Sequence, residues 1–270
     1  MIKICNFSKT FNPNTINEVK ALKNINLEIA DGDFVTIIGT NGSGKSTLLN
    51  AIAGSFIGDV GDIIIAGQDV TLDSEHKRAH LMSRVFQNPF SGTAPNMTIA
   101  ENLHLATLRG MTRLPLLKLN NSKISSLSTV VSELEMQLET RLDNKIGSLS
   151  GGQRQAITLL MAVVQKPKVL LLDEHTAALD PKSAAQIIKL TEKFVSRDNL
   201  TTIMVTHSMQ QALNLGNRTI MMHRGEVIED IGLKEKKKLT VDDLLGKFSE
   251  LRKIEKLTQD MIIEFRKEYV

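Results

Sequence analysis

Gly39-Thr40-Asn41-Gly42-Ser43-Gly44-Lys45-Ser46-Thr47 fits the pattern G-x-x-x-x-G-K-[ST]. The residues before it, Phe34-Val35-Thr36-Ile37-Ile38, read as a buried strand, and Ser46 to Ala53 after it read as a helix. Strand, glycine loop and helix together are the setting in which such a loop wraps a phosphate. Glycines let the backbone close on an anion with no Cβ in the way. The loop N–H groups and the positive helix end then face it. Lys45 is expected to reach the β- and γ-phosphates of a nucleotide, and the Ser46 hydroxyl to ligate Mg²⁺. A plain glycine-rich turn before a core helix is the alternative, and the agreement of motif with context speaks against it.

A second feature lies downstream. Pro167-Lys168-Val169-Leu170-Leu171-Leu172-Asp173-Glu174 is a continuous apolar run ending in two carboxylates. A run apolar on both faces suits the centre of a parallel sheet. The sequence predicts that this strand lies beside the phosphate-loop strand. Ligands of open α/β sheets bind beyond the carboxyl ends of the strands. Asp173 is then placed to hold Mg²⁺, directly or through water, and Glu174 to orient and deprotonate an attacking water.

Around these features the chain alternates strand and helix, which argues for an α/β fold. Ile25-Asn26-Leu27-Glu28-Ile29 alternates as a half-buried strand does, and Ile63-Ile64-Ile65-Ala66-Gly67 reads as another strand with its turn. Residues 75–82 are predicted helical and Arg84 to Gln87 extended. From about Asn88 to Gly147 the character shifts to helix. Thr98 and Glu101 form a capping-box pattern opening a helix to about Arg109, and Ser125 to Leu138 is apolar-periodic. This block reads as a helical insertion. Residues 182–196 and Met209 to Asn214 are predicted helices. Thr202 to Val205, Ile220 to Met222 and Val227-Ile228 are predicted strands. In the tail, Thr240 to Leu245 is predicted helical. From Phe248 on, Leu251, Ile254, Leu257, Met261, Ile262 and Phe265 make an amphipathic stripe, expected to pack on the body of the chain. The run Lys234-Glu235-Lys236-Lys237-Lys238 is expected to be a solvated loop.

The totals exclude several classes. At 270 residues the chain can bury a sizeable core, and 41% hydrophobic and 23% charged residues are ordinary for a globular protein. A net charge of +3 gives no support to nucleic-acid binding. Cys5 is the single cysteine, so no internal disulfide forms; it is expected as a packed thiol in a strand. No apolar run approaches the roughly 18 residues needed to span a bilayer, and the N-terminus has no basic-then-apolar leader pattern. The expected location is therefore cytoplasmic.

Leu149-Ser150-Gly151-Gly152-Gln153 sets a serine N-cap and two glycines before a long apolar helix, a second anion cradle on one chain. With this stretch the sequence resembles the ATP-binding subunits of ABC transporters, whose signature motif it matches letter for letter. The resemblance covers about Met1 to Asp230. Gln87, in Phe86-Gln87-Asn88-Pro89, resembles the family's Q-loop glutamine, a contact to Mg²⁺ and attacking water. Ala178-Leu179-Asp180 resembles the D-loop at the dimer interface, and His207, in Val205-Thr206-His207, the switch histidine on the γ-phosphate. Phe11 stands where the family keeps an aromatic that stacks on adenine; a core role is the alternative.

The resemblance implies a phosphate-loop ABC-ATPase fold: a mixed sheet core, an antiparallel β subdomain and an inserted helical subdomain. Its implied division is an ATPase domain at 1–230, with the helical subdomain at about 88–150, and a helical extension at 231–270. It implies ATP and Mg²⁺ as cofactors. Gly39 to Thr47, Phe11 and Ser150 to Gln153 would bind ATP; Ser46, Gln87 and Asp173 would hold the metal; Glu174, His207, Lys45 and Gln87 would act in hydrolysis. Implied partners are a second copy, an integral-membrane permease and a substrate-binding lipoprotein, with the chain peripheral on the cytoplasmic membrane face and no nucleic acid involved. Phe90, Pro95 and Met97 lie where the permease groove is expected. The similarity extends to a bacterial group linked to amino-acid uptake. An exporter cassette, a soluble ATPase of translation or DNA repair and a non-hydrolysing regulatory subunit are the alternatives. One departure stands out: His175 occupies a position that is commonly proline in the family. It is expected to be a tolerated loop substitution, with a polar contact near the opposite nucleotide as the alternative.

Overall fold

A computed structural model describes residues 1–111 and 119–254. Among the described residues ten strands are formed: β1 (Ile2–Phe11), β2 (Val19–Ile29), β3 (Phe34–Gly39), β4 (Val60–Ile65), β5 (Gln68–Asp69), β6 (Met82–Val85), β7 (Val169–Asp173), β8 (Thr201–Val205), β9 (Arg218–His223) and β10 (Glu226–Gly232). The helices are α1 (Lys45–Ala53), α2 (Glu75–Arg78), α3 (Ile99–Thr107), α4 (Asn121–Ser132), α5 (Gly151–Val163), α6 (Pro181–Asp198), α7 (Met209–Asn214), α8 (Leu233–Lys236) and α9 (Val241–Ile254).

Two sheets result. One is antiparallel with order β2-β1-β4-β5; the other has order β10-β9-β3-β8-β7-β6, parallel except for β10. Every residue of β3 and β8 is buried, as strands covered on both faces require. Alternation then divides the core. Leu170, Leu172 and Met204 face a layer made by α3 to α6, while Val169, Leu171, Ile203 and Val205 face α1 and the antiparallel sheet. Among the described residues no helix is long and apolar enough to cross a membrane.

Several elements differ from the sequence reading. β7 does not pair with β3: β8 lies between them. Two equally apolar strands can fill that slot, and local pattern does not order them. The segment 75–82 is not one helix. It stops at Arg78, whose buried guanidinium donates to the carbonyls of Ala51, Ile52 and Asp73, and β6 begins at Met82. α4 starts and ends earlier than 125–138, capped by Asn120. It ends because Glu135 and Gln137 turn through positive φ, yet Leu134 and Leu138 remain buried. In the tail α9 runs unbroken from Val241 to Ile254. Leu244, Leu245 and Phe248 pack on Met209 and Ala212 of α7 and on Met221 of β9. The stripe positions Leu257 to Phe265 lie outside the described residues.

The basic run is solvated as expected except at one position, and its first residues lie in α8 rather than in a loop. Lys236 is 3% exposed, its ammonium donating to the Leu215 carbonyl. Burial pushes the Lys236 pKa down to about 8.

Candidate functional site: a phosphate cradle at the carboxyl edge of the sheet

The loop between β3 and α1 is fixed by close approach of backbone. A Cβ on Gly39 would lie 2.3 Å from the Met222 carbonyl, and one on Gly44 would lie 2.7 Å from that of Ala21, where φ is also +101°. Only glycine satisfies both positions. The Gly225 N–H donates to the Ser43 carbonyl and so ties the loop to the β9–β10 turn. Asn41 to Thr47 line a cavity of about 170 Å³ together with Glu174 and His207. Lys45 is 5% exposed and its ammonium donates to the carbonyls of Gly39 (2.7 Å) and Thr40 (3.2 Å). Ser43 Oγ is buried there without a hydrogen-bond partner. A buried ammonium, an unmet hydroxyl and a helix N-terminus facing one cavity fit a phosphate chain.

Asp173 and Glu174 arrive from the end of β7. Asp173 divides its two oxygens: Oδ1 lies 3.4 Å from Ser46 Oγ, and Oδ2 accepts from Arg84 at 2.5 Å. A hydroxyl and a carboxylate oxygen side by side are hard ligands of the kind Mg²⁺ takes. Glu174 adopts φ +47°, a conformation non-glycine residues seldom hold, with its N–H donating to the Val205 carbonyl. That turn brings its Oε1 to 2.5 Å from His207 Nε2. Two residues that follow the neighbouring strands β7 and β8 therefore meet over the cradle.

Arg84 is a site residue that the sequence reading missed. Its guanidinium spans Asn50 Oδ1 (2.6 Å) and Asp173 and rests over the Phe86 ring, 4.7 Å from the centroid. The signal available was an arginine inside an otherwise buried strand, next to a glutamine of interest. His175 does lie in the turn after β7, but it is sealed from solvent. It is 1% exposed, its Nε2 lies 3.1 Å from Thr191 Oγ1 of α6, and burial pushes its pKa down to about 4.

The remaining named residues stand apart from the cavity. Ser150 caps α5, its Oγ accepting from the Gln153 N–H while Gln153 Oε1 accepts from the Ser150 N–H. Gly152 lies against α6, where a Cβ would meet Ser183 Oγ at 2.6 Å, and Gly151 faces Leu179. None of Ser150 to Gln153 lines the chain's own cradle. Arg154 holds the turn before them by donating to the carbonyls of Ile146, Gly147 and Leu149, and it stacks on Phe90 at 3.7 Å. Gln87 is exposed just beyond β6. Phe11 ends β1 opposite Val19, its ring edge-on to Phe56 with centroids 5.3 Å apart and the Lys9 ammonium 5.7 Å away. Asp180 caps α6 by accepting from the Ser183 N–H; hydrogen bonding from the Ser183 side chain first, and then from its N–H, holds the carboxyl below the usual range.

A phosphate cradle at the carboxyl edge of a largely parallel sheet, facing paired carboxylates, defines a nucleotide-binding α/β cassette. Comparison with known proteins gives that class a family. Residues 22–177 match the family model described as ABC transporter. A tyrosine transport ATP-binding protein of Clostridioides difficile is 47% identical over 249 residues, 92% of this chain and 98% of the relative. A spermidine/putrescine import ATP-binding protein of Mannheimia succiniciproducens is 38% identical over 85% of this chain, which spans only 57% of that relative's length. Among solved structures, a dimeric ATP-binding cassette in a post-hydrolysis state with ADP and phosphate superimposes with a TM-score of 0.73 at 30% identity, covering 86% of this chain and 99% of the cassette. The ADP conformation of another cassette gives 0.74 at 27% identity, covering 88% and 93%. The chain belongs to the ABC transporter family and has that family's ATP-binding cassette fold.

Proposed function

We propose that this chain is the ATP-hydrolysing subunit of an importer for a small solute, an amino acid of the tyrosine type. The observation that carries hydrolysis is the meeting of Glu174 and His207 over the phosphate cradle. The amino-acid reading leans on the tyrosine transport relative, which matches over nearly its whole length.

Lys45, the loop N–H groups of Gly39 to Thr47 and the α1 N-terminus bind the phosphates. Phe11 stacks on the adenine. Ser46 and Asp173, with Gln87 from the segment after β6, hold Mg²⁺. When bound, the metal neutralises phosphate charge and so favours in-line attack. Glu174 orients and deprotonates the attacking water, and His207 and Lys45 stabilise charge on the transferred group. Ser150 to Gln153 point away from this cradle and serve the nucleotide of a second copy, with Asp180 at that junction. Two copies thus clasp two nucleotides, and hydrolysis lets them part. The assembly sits peripherally on the cytoplasmic membrane face against a permease that docks near Phe90, Pro95 and Met97, with a substrate-binding lipoprotein as its receptor.

The decisive variant is Glu174→Gln, assayed for phosphate release and for mass in MgATP. We expect turnover to fall by about 10²–10⁴-fold, the usual worth of a positioned acid–base group, while nucleotide stays bound and a closed dimer accumulates. Wild-type turnover in that variant removes Glu174 from catalysis.

A further inference from the structure

Gln155 lies two residues beyond the last signature residue, inside α5, and its side chain is fully buried. Its Nε2 donates to two backbone carbonyls from different parts of the chain: His175 at 2.7 Å and Phe86 at 3.3 Å. His175 directly follows Glu174, and Phe86 directly precedes Gln87. A planar amide carries two N–H groups at a fixed angle, so one nitrogen sets the spacing between these two peptides. Gln155 Oε1 is buried with no partner, a costly arrangement that an apolar side chain would avoid. The backbone of Gln155 is seated in the core, because its neighbours Ala156, Ile157, Leu159 and Leu160 are buried there.

The neighbouring strain gives this spacing a use. Glu174 holds φ +47° because its surroundings impose it. One side is fixed by the Val205 carbonyl and the next turn by Ala177 N–H to Glu174 O at 2.9 Å. One peptide further on, the carbonyl of His175 is fixed by Gln155. The same nitrogen holds the peptide before Gln87, whose own side chain is exposed and free of the core. Among the described residues Gln155 is therefore a single side chain that touches the backbone beside each of the two residues proposed to manage the water.

We infer that Gln155 is a positioning residue: through Nε2 it sets the distance between the Glu174 and Gln87 backbones and ties both to the head of α5. A displacement of α5, which carries Ser150 to Gln153, moves both peptides with it. The inference rests on the hydrolytic reading above and adds that the carboxylate is aligned from the signature helix of its own chain.

The test is Gln155→Met, which keeps length and volume but removes both donors, compared with Glu174→Gln in the same assays on full-length chain. Binding of a fluorescent ATP analogue is measured beside kcat per folded molecule. We expect affinity within about twofold of wild type and kcat lower by at least about tenfold, the signature of an interaction that matters after binding. A residue that only stabilises the fold would lower Tm and leave kcat per folded molecule unchanged; that result overturns the inference. Equal loss of affinity and kcat overturns it too, since the cradle itself would then have been disturbed. If Glu174→Gln loses turnover while Gln155→Met keeps full kcat, this inference alone fails. If Glu174→Gln turns over normally, the hydrolytic reading fails with it. Should Gln155→Met not fold, exchange of the Gln155 side-chain amide protons is followed by NMR in Glu174→Gln with and without MgATP. Slow exchange that changes on nucleotide addition is expected, and exchange indifferent to nucleotide overturns the inference.

Discussion

At Glu174 the backbone takes a conformation that costs energy, and the residue after it is a histidine sealed from solvent. Position 175 was readable only as a departure from the family pattern. Burial and the 3.1 Å contact to Thr191 come from α6, eighteen residues folding back over the site. The consequence is a pH dependence with a definite sign. The folded pKa of His175, about 4, lies below the ordinary 6.5, so the unfolded chain takes up the proton first. Stability is complete above pH 6.5 and falls as pH drops toward 4, by up to about 3 kcal/mol from this group. His175→Phe, which leaves Thr191 bonded to the Ile187 carbonyl, should flatten that decline. Tm measured at pH 7.5 and pH 5 for both chains checks it; an unchanged acid slope rejects the assignment. By contrast Lys45 and Ser46 were fully legible, because their positions follow from the loop that precedes a helix.

Among the elements, α5 and α9 contrast. The Ser150 N-cap was written locally, and the structure forms it, with Gln153 closing a capping box. The sequence reading ended one tail helix at Leu245 and began an amphipathic stripe at Phe248, yet α9 passes through Gly246 between them because Leu244, Leu245 and Phe248 anchor it on α7 and β9. Two predictions follow from the packing. Phe248→Ala should lower unfolding free energy by about 3–5 kcal/mol, the cost of emptying a buried aromatic site. Gly246→Ala should raise it by roughly 0.5–1 kcal/mol, since a Cβ there meets nothing within 4 Å and a helical alanine is less costly to order. Urea denaturation of both variants tests whether α9 belongs to the cooperative fold. α4 was misplaced because no glycine or proline announced its end; positive φ at Glu135 and Gln137 is imposed by the burial of Leu134 and Leu138. Lys236 was misread for the same kind of reason: a charge run looks solvated until a neighbouring helix end supplies a carbonyl.

For the whole molecule, the N-termini of α1 and α5 do not line a common cradle among the described residues. Nucleotide bound only by the folded state should raise stability by about 2.7 kcal/mol at a hundredfold excess over Kd, and Lys45→Ala should abolish that gain in a thermal-shift measurement. In Glu174→Gln with MgATP, light scattering should give twice the monomer mass. Adding Ser150→Glu, which sets a negative charge where the partner's phosphates would lie, should return the mass to that of one chain while ATP still shifts Tm. A dimer that survives Ser150→Glu would place the junction elsewhere.

By itself the sequence determined the phosphate cradle, the carboxylate-tipped strand, the signature helix cap and the α/β alternation, because each is written in residues adjacent along the chain. Tertiary structure alone decided that β8 separates β7 from β3, that Arg84 takes one oxygen of Asp173, that His175 is buried and that one amide of Gln155 spans Phe86 and His175. Those features join residues distant along the chain: Phe34 pairs with Thr202 between β3 and β8, and Arg84 and Asp173 are 89 positions apart. Their energies depend on desolvation and on the angle of each bond, and neither exists until the chain has closed on itself.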